Sequence, residues 1–312
     1  MNKAAVTIGI PCFNCAPYLP ALLRSLQAQS FRDWEAIAID DASTDGTASI
    51  LRSIQDPRIR VVFGEENLGL GPRLNQIHEM AQTEFVARTD ADDLMHPQRL
   101  ARQMACFEAF PTLDVCATGT YTIDNQNRLL GVRRIPPLAA NALEVMQRNG
   151  PSHPTVTARR SWFLRFPYRP HPRRGEDLDL WVRAVESSRI LQLDEALHFI
   201  REDLAFDAGK YRRSMRDHRT LFHRHRALAG GLQTANLLTR SFAKEAIYTA
   251  LAAAGLAGRL AARRNRPLPE AEARLVREVL IQLLAHPGAP STDGAATFHA
   301  HSPERLVLSQ KS

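Results

Sequence analysis

The chain has 312 residues and a formal charge of +7, from 40 Lys and Arg against 33 Asp and Glu. Apolar residues at 44% and charged residues at 23% describe a soluble globular protein of one large domain or two, and exclude a disordered chain, a collagen-like repeat and a disulfide mini-protein. No uncharged apolar run approaches the roughly 20 residues of a membrane-spanning helix; the longest, Ala246 to Gly258, has 13.

The N-terminus, MNKAAVTIGIPCFN, lacks the long apolar stretch and small-residue cleavage site of a secretory signal, so a cytoplasmic protein is expected. Val6–Ile10 reads as a strand ending at Pro11, and Leu19–Gln29 carries apolar residues at helical spacing. Trp34–Ile39 is a strand that stops at Asp40-Asp41. Thr44–Ile54 is a helix with Ser43, Thr44 and Asp45 as capping candidates. Ile59–Phe63 is a strand, Gly71–Gln82 a helix, Glu84–Thr89 a strand, Pro97–Phe110 a helix and Val115–Thr122 a strand. Strands and helices alternating at this spacing predict an α/β, Rossmann-like, mainly parallel sheet flanked by helices, with ligands beyond the carboxyl ends of the strands.

After residue 205 the strand patterns stop. Helices are expected over Lys210–Ala229, Phe242–Arg264 and Pro269–Leu284, followed by a flexible tail at 286–312. Charge divides at the same point: residues 1–204 sum to −2 and residues 205–312 to +9. The expected organisation is therefore a catalytic domain over 1–204, a helical basic region over 205–285 and the tail. Only 4 of the 40 basic residues are Lys, which weakens inference from any single Arg. Cys12 and Cys15 form a CxxC with no second half for a zinc site, and read as two small apolar residues.

Carboxylates cluster at strand ends. Asp40 and Asp41 follow the second strand; Asp90, Asp92 and Asp93 follow the fourth in the run RTDADD. Like charges this close raise one another's pKa, so three within four residues call for a counter-charge. A hard divalent cation, Mg²⁺ or Mn²⁺, supplies one through oxygen ligands. A solvated acidic loop ahead of the helix near Pro97 is the competing reading.

The neighbouring motifs decide between them. In order the chain carries PCFN at 11–14, DDASTDGT at 40–47, ENLGLGPRLN at 66–75, DADD at 90–93, HPQRL at 96–100, HPT at 153–155 and GEDLDLWVR at 175–183. Over residues 4 to 204 this ordered set resembles the family 2 glycosyltransferases of the GT-A fold, most of all bacterial enzymes of surface-polysaccharide synthesis. The resemblance implies that Pro11, Phe13 and Asn14 lie beside a nucleotide and that Asp41 accepts a hydrogen bond from a uracil edge, with Asp40 structural. It implies Arg73 in the segment facing the diphosphate, where a plain surface role is equally open. Asp90 is implied toward the ribose and Asp92 toward the metal, with Asp93 beside them orienting the loop or assisting.

By the same resemblance, Glu176 and Asp177 supply the base, with Asp177 preferred; favourable placement at a helix N-terminus is the alternative. His153 and Thr155 are expected on the acceptor side or packed, Trp181 in the core, and Arg88 bracing the acids. Relatives often carry a Tyr-Arg-x-His-like run where this chain has Ile200-Arg201-Glu202-Asp203, so only Asp203 stands at the His position. The implied activity is inverting, metal-dependent transfer from a nucleotide-diphosphate sugar, UDP by default, to a saccharide or lipid-linked hydroxyl.

A catalytically silent sugar-nucleotide-binding scaffold and a sugar nucleotidyltransferase are the alternatives. The first should have lost its acids, and the second should open with a Gly-rich loop where PCFNCAPYL stands. The basic region shows no nucleic-acid motif. Its apolar stretch after Ala246, flanked by Lys244, Arg259, Arg263 and Arg264, predicts peripheral contact with an anionic membrane, on the inner face of the cell membrane; a merely covering helical subdomain is the plainer reading.

Overall fold

A computed structural model describes residues 4–169, 175–202, 207–256 and 264–285. Asp203, Arg259, Arg263, the expected boundary at 205 and the 286–312 tail lie outside these residues.

Strands β1 (Val6–Cys12), β2 (Trp34–Asp40), β3 (Ile59–Phe63) and β4 (Phe85–Arg88) form a parallel half-sheet in the order β3-β2-β1-β4. Side chains alternate across a strand. Ala36 and Ala38 therefore enter one core with α1 (Leu19–Gln27) and α4 (Arg99–Ala109), while Ile37 and Ile39 enter the other with α3 (Leu70–Met80). On α1, Leu19, Leu22 and Leu26 are buried at spacings of three and four, as the sequence predicts. Gly9 allows α3 to approach β1, since a Cβ there would stand 2.8 Å from Ile77 Cγ2.

The predicted helix at Thr44–Ile54 is shorter, α2 (Thr47–Arg52), because Ser43, Thr44 and Asp45 bond to the first loop instead of continuing the helix.

Beyond β4 the sheet becomes mixed. Strand β8 (Thr157–Arg159) pairs antiparallel between β4 and β6 (Val115–Ile123). Strand β7 (Leu129–Arg133) lies antiparallel on the other side of β6, and β10 (Asn265–Arg266) antiparallel on β7. A long strand, β9 (Ile190–Arg201), runs parallel to β6 with two register shifts, and its end pairs with β5 (Leu94–Met95). Helices α5 (Ala142–Arg148), α6 (Arg160–Arg165) and α7 (Glu176–Ala184) cover the Ile37/Ile39 side.

The helical region shares its cores with the sheet. Helix α8 (Ala208–Arg224) and the single turn α9 (Arg226–Ala229) replace the one predicted helix, and α10 spans Gly231–Ala253. The breaks fall at His225 and at Gly230, whose φ of 76° suits only a residue without a Cβ. The start of α10 thus precedes the predicted Phe242. Leu221 and Phe222 join the main core, and Val276, Leu280 and Leu283 of α11 (Glu270–Ala285) pack against Ala21, Leu94, Ile123 and Phe199. Asp179, fully buried on α7, accepts hydrogen bonds from Arg183 Nε (2.8 Å) and His225 Nε2 (2.8 Å), tying α7 to the α8–α9 junction.

Candidate active site

The carboxyl ends of β1, β2 and β4 place three loops side by side. Asn14, at φ 49°, accepts a hydrogen bond from Thr44 N (2.8 Å) and gives its own N–H to Ser43 Oγ (3.0 Å). Asp45 accepts from Ala16 N (3.1 Å) and Thr47 N (2.9 Å). The capping residues read from the sequence therefore stitch the PCFN loop to the DDASTDGT loop. Phe13 is left exposed, Pro11 half-buried, and Cys12 and Cys15 buried as free thiols.

Asp41 is buried, and its carboxylate organises the loop between β3 and α3. It accepts from Leu68 N (2.9 Å), Gly69 N (2.8 Å) and Arg73 Nε (2.7 Å). The two backbone donors lie at the N-terminus of α3, where an anion is favoured. Arg73 is itself buried, so the surface reading does not hold: it faces Asp41, Gln76 and the carbonyl of Glu66. An ionised carboxylate offers about four acceptor sites, so three donors leave Asp41 one for a ligand. Asp40 is also buried, and its Oδ1 has no partner among the described residues.

The DADD turn follows β4. Asp90 is half-buried, Asp92 exposed and Asp93 buried, and one oxygen from each lies within 4.8 Å of the others. The surrounding protein, then Asp93 and Asp90, push the Asp92 carboxyl up to about 7; burial, then Asp90, pushes Asp93 up to about 8. Such crowding is relieved by a cation. Arg88 donates from Nη2 to Asp90 Oδ1 (2.7 Å). It is 3% exposed, and its Nε and Nη1 have no partner among the described residues.

Glu176 and Asp177 begin α7, after Gly175 in the left-handed region at φ 96°. A Cβ on Gly175 would stand 2.6 Å from Leu221 Cδ1, so α8 fixes where the pair emerges. Burial, then the Asp177 charge, raises the Glu176 carboxyl; Arg88 opposes this and Asp90 adds to it. Arg88 in turn is held charged by Asp90, Tyr168, Glu176 and Asp177 against its burial. The two acidic motifs, 83 residues apart at their nearest members Asp93 and Glu176, thus act electrostatically on the same buried guanidinium.

His153 and Thr155 are packed. His153 bonds to the Tyr168 hydroxyl under the edge of Trp181, and Thr155 Oγ1 accepts from Thr118 N (3.2 Å). Trp181 is a core residue, 1% exposed. Arg201 acts differently from a diphosphate contact: its side chain bonds to the Asp92 and Asp124 carbonyls and to Asn127. Sequence reasoning missed His198, which bonds to Asp93, and the role of Arg99, quoted only within HPQRL. Both read as core residues of β9 and α4, and only their meeting in space distinguishes them.

The mixed sheet with acidic turns at the carboxyl ends of its parallel strands has the layout of the GT-A fold. The chain matches the family model for glycosyl transferase family 2 over residues 7–171, and it belongs to that family. It is 35% identical to EpsE of Bacillus subtilis, named as a glycosyltransferase, over 209 residues, 64% of this chain and 73% of EpsE. It is 38% identical over 104 residues to TuaG of the same species, named for teichuronic acid biosynthesis, covering 33% and 41% of the two chains. S. aureus TarS (residues 1–349), solved with UDP-GlcNAc, superposes with a TM-score of 0.56 at 20% identity over 76% of this chain and 71% of TarS. The mannosyltransferase PcManGT of Pyrobaculum calidifontis, solved with GDP-Man and Mn²⁺, gives 0.54 at 19% over 90% and 81%. At these identities the structural likeness is one of fold.

Proposed function

We propose that the chain transfers a sugar, with inversion, from a UDP-sugar to a hydroxyl of a saccharide or lipid-linked saccharide in cell-surface polysaccharide synthesis. The observation that carries this is the cluster of Asp90, Asp92 and Asp93 oxygens within 4.8 Å at the end of a parallel strand, braced by the buried Arg88. UDP and UDP-GlcNAc in the TarS structures, and the polymer for which TuaG is named, support the donor and product classes.

The residues present fit Mg²⁺ or Mn²⁺. The donor set is all carboxylate oxygen, the oxygens already lie within 4.8 Å, and Asp92 is open to solvent. Asp92 and Asp90 would hold the ion, with Asp93 behind them. When bound, it neutralises charge developing on the departing diphosphate. The chain's own groups do the rest. The loops at Phe13, Asn14 and Asp41 hold the nucleotide. Arg88 holds Asp90 in place through its hydrogen bond, and Asp177 takes the proton from the attacking hydroxyl. Direct displacement with one base inverts the anomeric carbon.

Asp92→Asn is expected to abolish Mn²⁺-assisted UDP uptake in calorimetry while leaving the melting temperature within a few degrees, since the side chain is exposed. Unchanged uptake by this variant, or none by the native chain, refutes the metal role.

A membrane-bound acceptor is supported by α10. Leu232, Phe242 and Ile247 are exposed on it, and Arg240 and Lys244 flank them. Exposed Arg212, Arg213 and Arg216 on α8 add positive charge, and no described helix is long and apolar enough to cross a membrane. The exposed apolar residues thus begin before the predicted stretch after Ala246 and continue into it at Ile247. Co-sedimentation with phosphatidylglycerol vesicles is expected at low salt and should fall as salt screens the arginines. No binding at low salt ends this reading.

A further inference from the structure

Behind the DADD turn runs a buried polar chain that none of the active-site roles above uses. Asp93 Oδ1 accepts the Arg201 N–H (2.8 Å), and Asp93 Oδ2 lies 3.0 Å from His198 Nε2. His198 Nδ1 lies 2.9 Å from Arg99 Nη1. Both His198 and Arg99 have no exposed surface.

A guanidinium has donors only, so His198 Nδ1 must accept. The imidazole proton then sits on Nε2 and donates to Asp93. Burial, then the Arg99 charge, keeps the ring neutral. The remaining Arg99 donors reach the carbonyl of Arg88 (2.7 Å) and Gln103 Oε1 (3.2 Å). Gln103 Nε2 in turn donates to the carbonyls of Thr155 (2.8 Å) and Cys116 (2.8 Å). One chain of hydrogen bonds therefore ties the metal-facing turn, β9 and the turn at 153–155 together. Both Asp93 oxygens are engaged by protein donors, unlike the exposed Asp92.

We propose that His198 and Arg99 are positioning residues that act through Asp93, and that Asp93 sets the shape of the DADD turn. This rests on the glycosyltransferase reading above and assigns a division of labour within its acids. Asp92 faces the ion, Asp90 is shared with Arg88, and Asp93 is the internal brace. A side chain that orients a metal-binding turn through a hydrogen bond typically changes metal affinity by about 10- to 100-fold on removal.

The test compares Mn²⁺ and UDP uptake by calorimetry in the full chain, with melting curves as a fold control. His198→Leu is expected to weaken Mn²⁺-assisted UDP uptake at least tenfold. His198→Gln, whose amide can donate to Asp93 and accept from Arg99, should restore it to within about threefold. Residues acting through one another are non-additive, so Asp93→Ala and Asp93→Ala/His198→Leu should match within about twofold. Nitrogen-15 NMR of the native imidazole should show the proton on Nε2 of His198.

The proposal is overturned if the proton is on Nδ1 or if His198→Leu binds like the native chain. It is equally overturned if the two losses multiply, or if Asp93→Ala removes uptake as completely as Asp92→Asn. Loss of fold in His198→Leu leaves His198→Gln to decide: weakened uptake in a folded His198→Gln counts against the relay, and native-like uptake supports it. No uptake by the native chain would refute the underlying function as well, and is distinguishable from all these outcomes.

Discussion

Asp177→Asn is expected to lower the rate of sugar transfer by about 10²- to 10⁴-fold, the range for removing a general base, with UDP uptake unchanged. The substitution keeps size and removes only the ability to take a proton. Asp177 gives one oxygen to the Leu178 N–H (2.8 Å), an amide at the start of α7 that lacks a helical acceptor. Its other oxygen has no hydrogen-bond partner among the described residues. Burial and the Asp177 charge both favour the protonated form of Glu176, so less of it is ionised and ready to accept a proton. Glu176→Gln should therefore cost less than Asp177→Asn. Initial rates of UDP release with acceptor present, beside calorimetric UDP uptake, separate the two. A larger loss in Glu176→Gln reverses the assignment, and a loss of uptake in Asp177→Asn places that residue on the donor instead.

The parallel half of the fold was legible because β1 and β2 are buried on both faces and read as short apolar runs. Strand β9 was not, although it is the longest described strand. Asp194 and Glu195 interrupt it, and its pairing with β6 slips twice, so no period of two survives in the sequence. The acids of the site were legible because carboxylates at strand ends are conspicuous. The resemblance pointed to Arg88 as a brace for the acids, and its bond to Asp90 agrees. With 36 arginines in the chain, however, nothing in the sequence showed that Arg73, Arg88 and Arg99 are buried, each at most 5% exposed. The same limit hid the hinge between the predicted domains: Asp179 reads as one more acid of a helix start, and only burial shows that it joins α7 to His225.

Arg73→Leu should show how much those hidden cations matter. The Arg73–Asp41 pair is 2.7 Å long, with side-chain exposures of 6% and 5%. Removing the cation leaves a carboxylate out of water with two backbone donors, Leu68 N and Gly69 N. Breaking one side of a buried pair costs on the order of 3–5 kcal/mol, a fall in melting temperature of roughly 10 °C for a domain of this size. The carbonyl of Glu66 would lose its donor too, and Gly64 shows how closely the loop is fitted. A Cβ there would stand 2.0 Å from Arg73 Nη2. Arg274→Leu is the control. Its pair with Glu278 is 79% and 49% exposed, so solvent screens it and a change within about 0.5 kcal/mol is expected. Because the proposed function sets Asp41 against the nucleotide and Arg73 holds Asp41 in place, UDP uptake should weaken in Arg73→Leu well below its melting temperature. Equal melting temperatures for the two variants would show that the Asp41 loop is held by its backbone donors alone.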